Sequence, residues 1–396
     1  VAAEIDTRDH PLFYAAWLLT IAGMLGQVTT GDAFNIFVFL EISSLSAYAL
    51  VAMGAGRDRR ALPAAFNYLI LGTVGATFYV IGVGLLYMLT GTLNLADLAE
   101  RLPQVEATRA SFTAMAFIAL GLFLKMALFP LHFWLVPAYA HAPSAVSALM
   151  AATATKVSVY VLIRLIFGVF GIDFPGLADA VGLLVLTLGI TGAFVGTLAA
   201  IVETDLKKLF AQSSIAQLGY MAIGIGAMSV TGLAAAFIHL FNHALMKGAL
   251  FLAVGMIAAQ AGRATMGTIQ GAGKQIPVTM TAILFGGLAL IGVPLTAGFQ
   301  SKYALVSALF ANGWWWAVAV VMFSSLLAVV YMGRILEAVF FHAPTNPNKR
   351  RKEAPLVILI PLWILAIANI WVGVHGGFVA GLANDAAASL FIGGGS

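Results

Sequence analysis

Eleven runs of mostly apolar residues, each about as long as a bilayer is thick, constrain this chain more than any other feature. A helix needs about 20 apolar residues to cross the hydrocarbon core, and backbone polar groups cannot stay unpaired there. The runs therefore predict an all-α integral membrane protein of about eleven transmembrane helices. The predicted spans are Pro11–Thr29, Ala33–Met53, Ala64–Leu89, Ser111–Tyr139, Ala142–Phe170, Ala178–Val202, Leu209–Met228, Leu233–Ala259, Val278–Phe310, Trp314–Phe341 and Pro355–Val379.

Two of the predicted spans combine a charged residue with residues that break helices. The fourth carries Lys125 near its middle and Pro130 shortly after it, and the ninth is interrupted at Pro294 and carries Lys302. Proline removes a backbone donor and strains a helix, so each of these spans should consist of two half-helices. Broken helices in corresponding halves of a membrane protein indicate an ion path near the middle of the bilayer.

Basic residues in the predicted loops fall almost entirely on one side of the membrane. The first side holds Arg8, Arg57, Arg59, Arg60, Lys207, Lys208, Arg263, Lys274, Lys349, Arg350, Arg351 and Lys352, whereas the opposite side holds Arg101 and Arg109. Cytoplasmic loops carry an excess of lysine and arginine. We therefore predict a multi-pass protein of the cell inner (plasma) membrane, with Val1 in the cytoplasm and Ser396 outside.

The order of the spans predicts an internal repeat. Spans one to five and six to ten form two sets of five, and an odd number turns the second set upside down in the membrane. The two broken spans then occupy equivalent positions. We predict a first five-helix repeat over residues 1–175 and an inverted second repeat over 176–342. Residues 343–396 would supply a cytoplasmic basic loop, one extra C-terminal helix and a tail.

Seven titratable side chains in the predicted membrane interior point to function, because a charge at the membrane centre costs about 3 kcal/mol on insertion scales. They are Glu41, Lys125, Lys156, His239, His243, Lys247 and Lys302. The spacing i, i+4, i+8 places the two histidines and Lys247 on one helix face. Histidine titrates near neutral pH and suits proton relay. Such a series on broken helices indicates proton conduction, whereas a sugar or drug carrier would show one clustered site.

Several of these residues also have a structural interpretation, and a single histidine in a helix bundle is more often a hydrogen-bonded packing residue. Glu41 and Lys125 would form an ion pair that only fixes packing, although buried pairs stabilise poorly. Lys302 would extend its side chain to the outer membrane interface. The two histidines would bind a metal, but no third ligand lies in their span, so no metal site is predicted. We favour proton transfer, because a static clasp needs one pair and several further charges would remain unexplained.

Composition excludes several other classes of function. The chain contains no cysteine, so it holds neither a disulfide nor a cysteine-ligated iron–sulfur cluster. The glycine-rich stretches lack the context of a phosphate-binding loop, and the basic residues lie in short loops, which does not suggest nucleic acid. No cofactor is predicted, and any enzymatic reaction would belong to a larger complex and not to this chain alone.

Several blocks of the sequence resemble one superfamily over nearly the whole chain. They are GDAFNIFVFLEISSLSAYAL, LKMALFPLHFWL, TDLKKLFAQSSIAQLGYM, HLFNHALMKGALFLA and GVPLTAGFQSKYAL. These blocks are similar to the antiporter-like subunits that respiratory complex I (NADH:quinone oxidoreductase) shares with the Mrp-type multisubunit cation/proton antiporters. The resemblance implies a Glu41–Lys125 pair, a bridging Lys156, a central polar helix with His239, His243 and Lys247, and a terminal Lys302.

The resemblance also implies a function and partners. LLYMLTGTLNLADLA and APSAVSALM look most like the D-type subunit of the Mrp antiporters. The implied function is a proton-translocating subunit of a Na+/K+–proton antiporter, working with other membrane subunits. The near alternative is the quinone-proximal proton-pumping subunit of complex I or of a related redox complex. The family's fold has more helices than this chain predicts, which implies three helices missing before Val1.

Overall fold

The computed structural model describes residues 4–105, 108–344 and 351–392, and these residues are nearly all helical. They contain no β-strand, only two isolated bridges, Asp32 with Asn94 and Asp205 with Thr265. The predicted all-α fold is confirmed. Val1, Lys349, Arg350 and Ser396, which entered the predicted orientation, lie outside the described residues.

The main helices follow the predicted spans closely. They are α1 (His10–Thr29), α2 (Ala33–Ala52), α3 (Ala61–Thr90), α4 (Leu95–Arg101), α5 (Arg109–Met126), α6 (Leu135–His141), α7 (Ser144–Phe170), α8 (Ala180–Val202), α9 (Leu206–Gly226), α10 (Val230–Ala261), α11 (Pro277–Ile291), α12 (Ala297–Ala311), α13 (Trp315–Phe340), α14 (Leu356–His375) and α15 (Gly377–Ile392). Within the described ranges, nine helices are long and apolar enough to cross a membrane.

Two of the eleven predicted spans are not among those nine helices, for different reasons. The ninth span divides into α11 and α12, each 15 residues and therefore about 22 Å long, which is too short to cross alone. α9 has 21 residues, but Gln212, Gln217 and a pair of serines make it less apolar than its neighbours. A further helix that was not predicted, α15, begins at Gly377, and only Gly376 separates it from the end of α14 at His375.

Both predicted helix breaks are confirmed. α5 ends one residue after Lys125, where Ala127 has a left-handed backbone (φ 58°), and helix resumes at Leu135. α11 ends at Ile291, where Gly292 has φ 90°, and α12 begins at Ala297. A left-handed residue closes a helix C-terminus because it turns the chain out of the helical path. In each case the last helical carbonyls are left without helical partners.

The basic loops lie together at one end of the bundle, which we call the basic end. Arg57, after α2, donates to the carbonyl of Ala258 near the end of α10 at 2.7 Å. Asp58 lies 3.9 Å from Arg263, in the loop after α10.

α10 is 32 residues long and packs against helices from both predicted repeats. The repeat boundaries near residues 175 and 342, and the inverted symmetry, stay predictions.

Candidate functional site

Glu41 and Lys125 face each other between α2 and α5. Lys125 Nζ lies 3.5 Å from Glu41 Oε1, and it donates to Ser44 Oγ at 2.9 Å and to Tyr48 OH at 3.4 Å. The spacing of Glu41, Ser44 and Tyr48 places all three on one face of α2. Lys125 is buried in the last turn of α5, where the helix dipole favours a cation. The predicted pair is therefore present, and two hydroxyl groups complete it.

Lys156 is buried in α7, directly after a π-helical turn at Met150–Ala154. Its Nζ donates to the carbonyl of Ala151 and lies 3.4 Å from Thr155 Oγ1. A π-turn interrupts the regular hydrogen-bond ladder of a helix, and such turns are frequent at functional sites. No carboxylate in the described part of the chain lies within 4.0 Å of this lysine.

His239 and His243 lie fully buried on one face of α10, as their spacing predicts. Their rings are nearly parallel, with centroids 6.1 Å apart, and His239 Nδ1 lies 2.8 Å from Ser301 Oγ. His239 Nε2 and both ring nitrogens of His243 have no hydrogen-bond partner among the described residues. Because buried polar atoms are normally bonded to protein or ordered water, these nitrogens mark positions suited to water.

Lys247 continues the same face of α10 and reaches α9. Its Nζ donates to the carbonyl of Phe210 at 2.7 Å and to Ser213 Oγ at 2.5 Å. The ammonium also lies 5.7 Å from the centre of the Phe210 ring. Within the described ranges no carboxylate approaches Lys247 to 4.0 Å, so its partners are neutral.

Lys302 turns back toward the break that precedes it. Its Nζ donates to the carbonyls of Leu290 and Ile291 at 3.1 and 2.7 Å and to Ser325 Oγ at 2.6 Å. These are the last carbonyls of α11, which the break leaves free of helical partners. Lys302 is only 7% exposed. The alternative in which this side chain extends to the membrane interface is therefore wrong.

Five of the seven predicted residues form one series that runs across three helices. Lys156 lies close enough to three of them, His239, His243 and Lys247, for its charge to act on each. Lys302 acts in the same way on His239. The ring of Tyr220 lies between His239 and Lys302. Its centroid is 5.7 Å from the centroid of the His239 ring and 5.1 Å from Lys302 Nζ. The series thus joins α7, α10 and α12.

A small cavity lies beside Lys125, between α2, α5 and α7. It measures about 30 Å³, and its lining includes Lys125, Ser44 and Ser158. Ser158 follows Lys156 by two residues in α7. A polar cavity of this size has room for a water molecule. Because residues two apart point to opposite sides of a helix, this cavity faces the side of α7 away from Lys156, and Lys125 and Lys156 share no direct bond.

Three serines that bind the lysines were not predicted from the sequence. Ser44 bonds Lys125, Ser213 bonds Lys247 and Ser325 bonds Lys302. Each belongs to a Ser-Ser pair in an apolar helix, and the chain has only three such pairs, Ser43-Ser44, Ser213-Ser214 and Ser324-Ser325. Paired serines in otherwise apolar helices are the sequence signal that would have identified them.

A second polar region lies at the basic end, around a cavity of about 250 Å³. Asp58 Oδ2 lies 2.6 Å from Arg60 Nη2 and 3.3 Å from His141 Nδ1. The hydrogen bond from Arg60 holds the pKa of Asp58 well below its usual value. Burial lowers the pKa of His141, and the charge of Arg60 lowers it further. His141 is therefore neutral at pH 7 despite its carboxylate neighbour.

Two buried groups extend this region toward the bundle. Glu4 Oε1 pairs with Arg57 at 2.8 Å, and its Oε2 accepts the backbone N–H of Ser144, at the start of α7, at 2.6 Å. Lys207 Nζ donates to the carbonyl of Ala142 at 3.0 Å. No three His, Cys, Asp or Glu side chains in the described ranges come together as metal ligands would.

Fold and site together define a multi-pass helical membrane protein with buried titratable groups at two broken helices. A family model described as NADH:quinone oxidoreductase/Mrp antiporter, transmembrane part, matches residues 30–328. The chain belongs to this family.

Individual members of the family show how similar the chain is. NADH-quinone oxidoreductase subunit N of Desulforudis audaxviator is 41% identical over 378 residues, covering 92% of this chain and 74% of that protein. The D-type subunit of the Na(+)/H(+) antiporter of Alkalihalophilus pseudofirmus is 31% identical over 367 residues, covering 92% and 73%. A chain in the structure of the Mrp complex from Dietzia sp. DQ12-45-1b superimposes with a TM-score of 0.87 at 26% identity, covering 95% and 77%.

Proposed function

We propose that this chain is a proton-translocating membrane subunit of a multisubunit monovalent cation (Na+/K+)/proton antiporter of the Mrp type. One observation carries the proposal: Lys156, Lys247 and Lys302 are buried, and no described carboxylate lies within 4.0 Å of any of them. A buried cation without a counter-ion is unfavourable, so such a lysine readily gives up its proton. Ionisable residues that face the interior of a membrane bundle mark ion paths and proton relays.

Glu41 would control the proton on Lys125. While the carboxylate lies beside the amine, the ammonium form is favoured by their attraction. When the carboxylate moves away, Lys125 is left buried without a counter-ion and releases its proton. The released proton would then pass to Lys156 in α7.

From Lys156 the proton would pass along the α10 face to Lys302. Histidine takes a proton on one ring nitrogen and releases one from the other, and bridging water would connect the unpaired nitrogens of His239 and His243. Moving one charge against about 100 mV costs about 2.3 kcal/mol. A hundredfold change in the proton affinity of one lysine supplies about 2.7 kcal/mol, which is sufficient.

The orientation and partners belong to the same proposal. The basic end would face the cytoplasm of a plasma membrane, because basic loops are retained on that side. The Ser396 end would lie outside. The chain that superimposes on this one is part of a multisubunit Mrp complex. Other membrane subunits would therefore adjoin this one and couple the flow of Na+ or K+ to the movement of protons.

A second candidate is a proton-pumping subunit of NADH:quinone oxidoreductase or of a related membrane-bound redox complex. The 41% identity to a protein named NADH-quinone oxidoreductase subunit N favours it. The proton path would be the same, and redox chemistry in other subunits would drive it. Proton flux from the purified assembly that responds to Na+ or K+ without reductant supports the antiporter. Flux that requires NADH and a quinone supports the redox complex.

Removing either member of the first pair tests the proposal. Lys125→Ala and Glu41→Ala should each abolish proton-coupled transport in vesicles, while co-purification with partner subunits is retained. Lys208→Ala is the matched control, because this lysine lies at the basic end and outside the buried path. Full transport by both Lys125→Ala and Glu41→Ala would refute the proposed function.

A further inference from the structure

Lys247 and Lys302 are bound by the same closed arrangement of three polar groups, although their helices differ. Lys247 Nζ donates to the carbonyl of Phe210 at 2.7 Å and to Ser213 Oγ at 2.5 Å. The hydroxyl of Ser213 in turn donates to that same carbonyl at 3.0 Å. Lysine, hydroxyl and carbonyl therefore form a triangle in which every side is a hydrogen bond.

The second triangle lies at the break before α12. Lys302 Nζ donates to the carbonyl of Ile291 at 2.7 Å and to Ser325 Oγ at 2.6 Å. The hydroxyl of Ser325 donates to the carbonyl of Ile291 at 3.1 Å. The carbonyl comes from a helix end here and from a helix interior at Phe210, so a shared local backbone conformation does not explain the likeness.

The three groups differ in what they offer a lysine. An ammonium has three donors and no acceptor, whereas a neutral amine has two donors and one acceptor. A carbonyl only accepts, and so it bonds the N–H groups of either form but never the amine lone pair. A hydroxyl both accepts and donates. Of the three groups in each triangle, only the serine can change its part when the lysine loses its proton.

We propose that Ser213 and Ser325 set the proton affinity of Lys247 and Lys302, and that each hydroxyl turns between its carbonyl and its lysine as the lysine is loaded and unloaded. With the ammonium present, the hydroxyl accepts from the lysine and donates to the carbonyl. After the proton has moved to the next group on the path, the hydroxyl hydrogen points to the amine nitrogen. An amine N–H still donates to the carbonyl, and no heavy atom has to move.

The other two lysines of the path have hydroxyl partners of the same kind. Lys125 donates to Ser44 at 2.9 Å, and Lys156 lies 3.4 Å from Thr155 Oγ1. Each of the four lysines thus meets one serine or threonine hydroxyl. The inference rests on the proposed proton transfer, and it adds residues that sequence motifs of titratable groups do not reveal.

Alanine at position 213 or 325 should change the pH dependence of transport as well as its rate. Hydrogen bonds to a charged group are stronger than those to a neutral one, so the ammonium loses more than the amine does. The lysine then binds its proton about tenfold more weakly, which corresponds to about one pH unit. The alkaline limit of transport, where the lysines must still be loaded, should move down by about that much.

The neighbouring serine of each pair is the matched control. Ser214 donates to the carbonyl of Phe210, and Ser324 accepts from Tyr220, but neither bonds a lysine. Ser214→Ala and Ser324→Ala should leave the alkaline limit of transport within about 0.3 pH unit of the wild type, since ordinary polar losses do not alter lysine loading. Ser325→Thr keeps the hydroxyl at a half-buried position and should restore the wild-type profile.

The experiment measures proton-coupled transport from pH 6 to pH 10 in vesicles that contain the whole assembly, with Lys125→Ala alongside. A downward move of the alkaline limit in Ser213→Ala and Ser325→Ala, but not in the controls, supports the inference. An unchanged limit, a lower rate at every pH without a move, or an equal move in the controls overturns it. If Lys125→Ala transports normally, the proposed function fails and this inference fails with it.

Discussion

Gly373 of α14 packs directly against the carbonyl oxygen of Leu295, inside the break between α11 and α12. A Cβ atom at position 373 would overlap that oxygen, so only glycine fits. Leu295 itself has a left-handed backbone, with φ 70°. α14 stands outside the two predicted repeats, yet it touches the break that directly follows the carbonyls bound by Lys302. Through this contact, α14 packs against the break and holds its backbone in place.

Gly373→Ala should therefore reduce transport at least tenfold, because the break must shift and the carbonyl partners of Lys302 shift with it. Overpacking of this kind costs about 1–3 kcal/mol of folding stability. Transport in vesicles and the unfolding temperature of the assembly check the two effects. Gly377→Ala is the control, since a Cβ there meets no neighbour within 4 Å. Equal transport and equal unfolding temperatures in the two variants would show that the contact between Gly373 and Leu295 does not support the break.

The charges around His141 predict how its pKa responds to substitution. Asp58 raises this pKa and Arg60 lowers it, while burial keeps it below 6.5. Asp58→Asn should lower the pKa of His141 further, and Arg60→Gln should raise it, because the stronger of the two opposing positive charges is then removed. NMR titration of labelled histidine in nanodiscs measures both. Shifts in the opposite directions would contradict the geometry at the basic end.

Glu4 should stabilise the protein by joining segments that are distant in sequence. Its carboxylate binds Arg57 and caps the start of α7 at Ser144, and it is 8% exposed. Glu4→Gln keeps the size of the side chain but removes the charge, and it should cost about 1–3 kcal/mol. The unfolding temperature in a fixed detergent reports the loss. Glu100→Gln, at an exposed position, should be neutral, and an equal loss there would contradict this account.

The breaks and the titratable residues could be predicted from the sequence because each violates a strong rule of lipid solvation. A proline or a charge inside an apolar run is costly wherever the run packs, so Lys125, Pro130 and Lys302 are visible without any knowledge of neighbours. The orientation of the Lys302 side chain could not be predicted by this reasoning. It depends on the carbonyls of α11, which become available only once the break is formed.

The groups that complete the site were not predictable, because they depend on contacts between distant segments. Ser325 lies 23 residues from Lys302, and Gly373 approaches the break from outside the repeats. Placing a serine or a glycine in an apolar helix costs little free energy, so neither residue type indicates a functional site from the sequence alone. α15 was missed for a different reason, because its 16 residues are fewer than the roughly 20 that a membrane span needs.

Proton flux measured with the Lys302→Arg variant tests the central claim most directly. Arginine keeps the positive charge and can donate to the carbonyls of Leu290 and Ile291, but it does not release a proton in proteins. The measurement is flux in inside-out vesicles of the whole assembly, with retention of partner subunits as the control for folding. We predict that flux is lost while the assembly remains intact. Wild-type flux in Lys302→Arg would contradict the claim that this lysine carries protons.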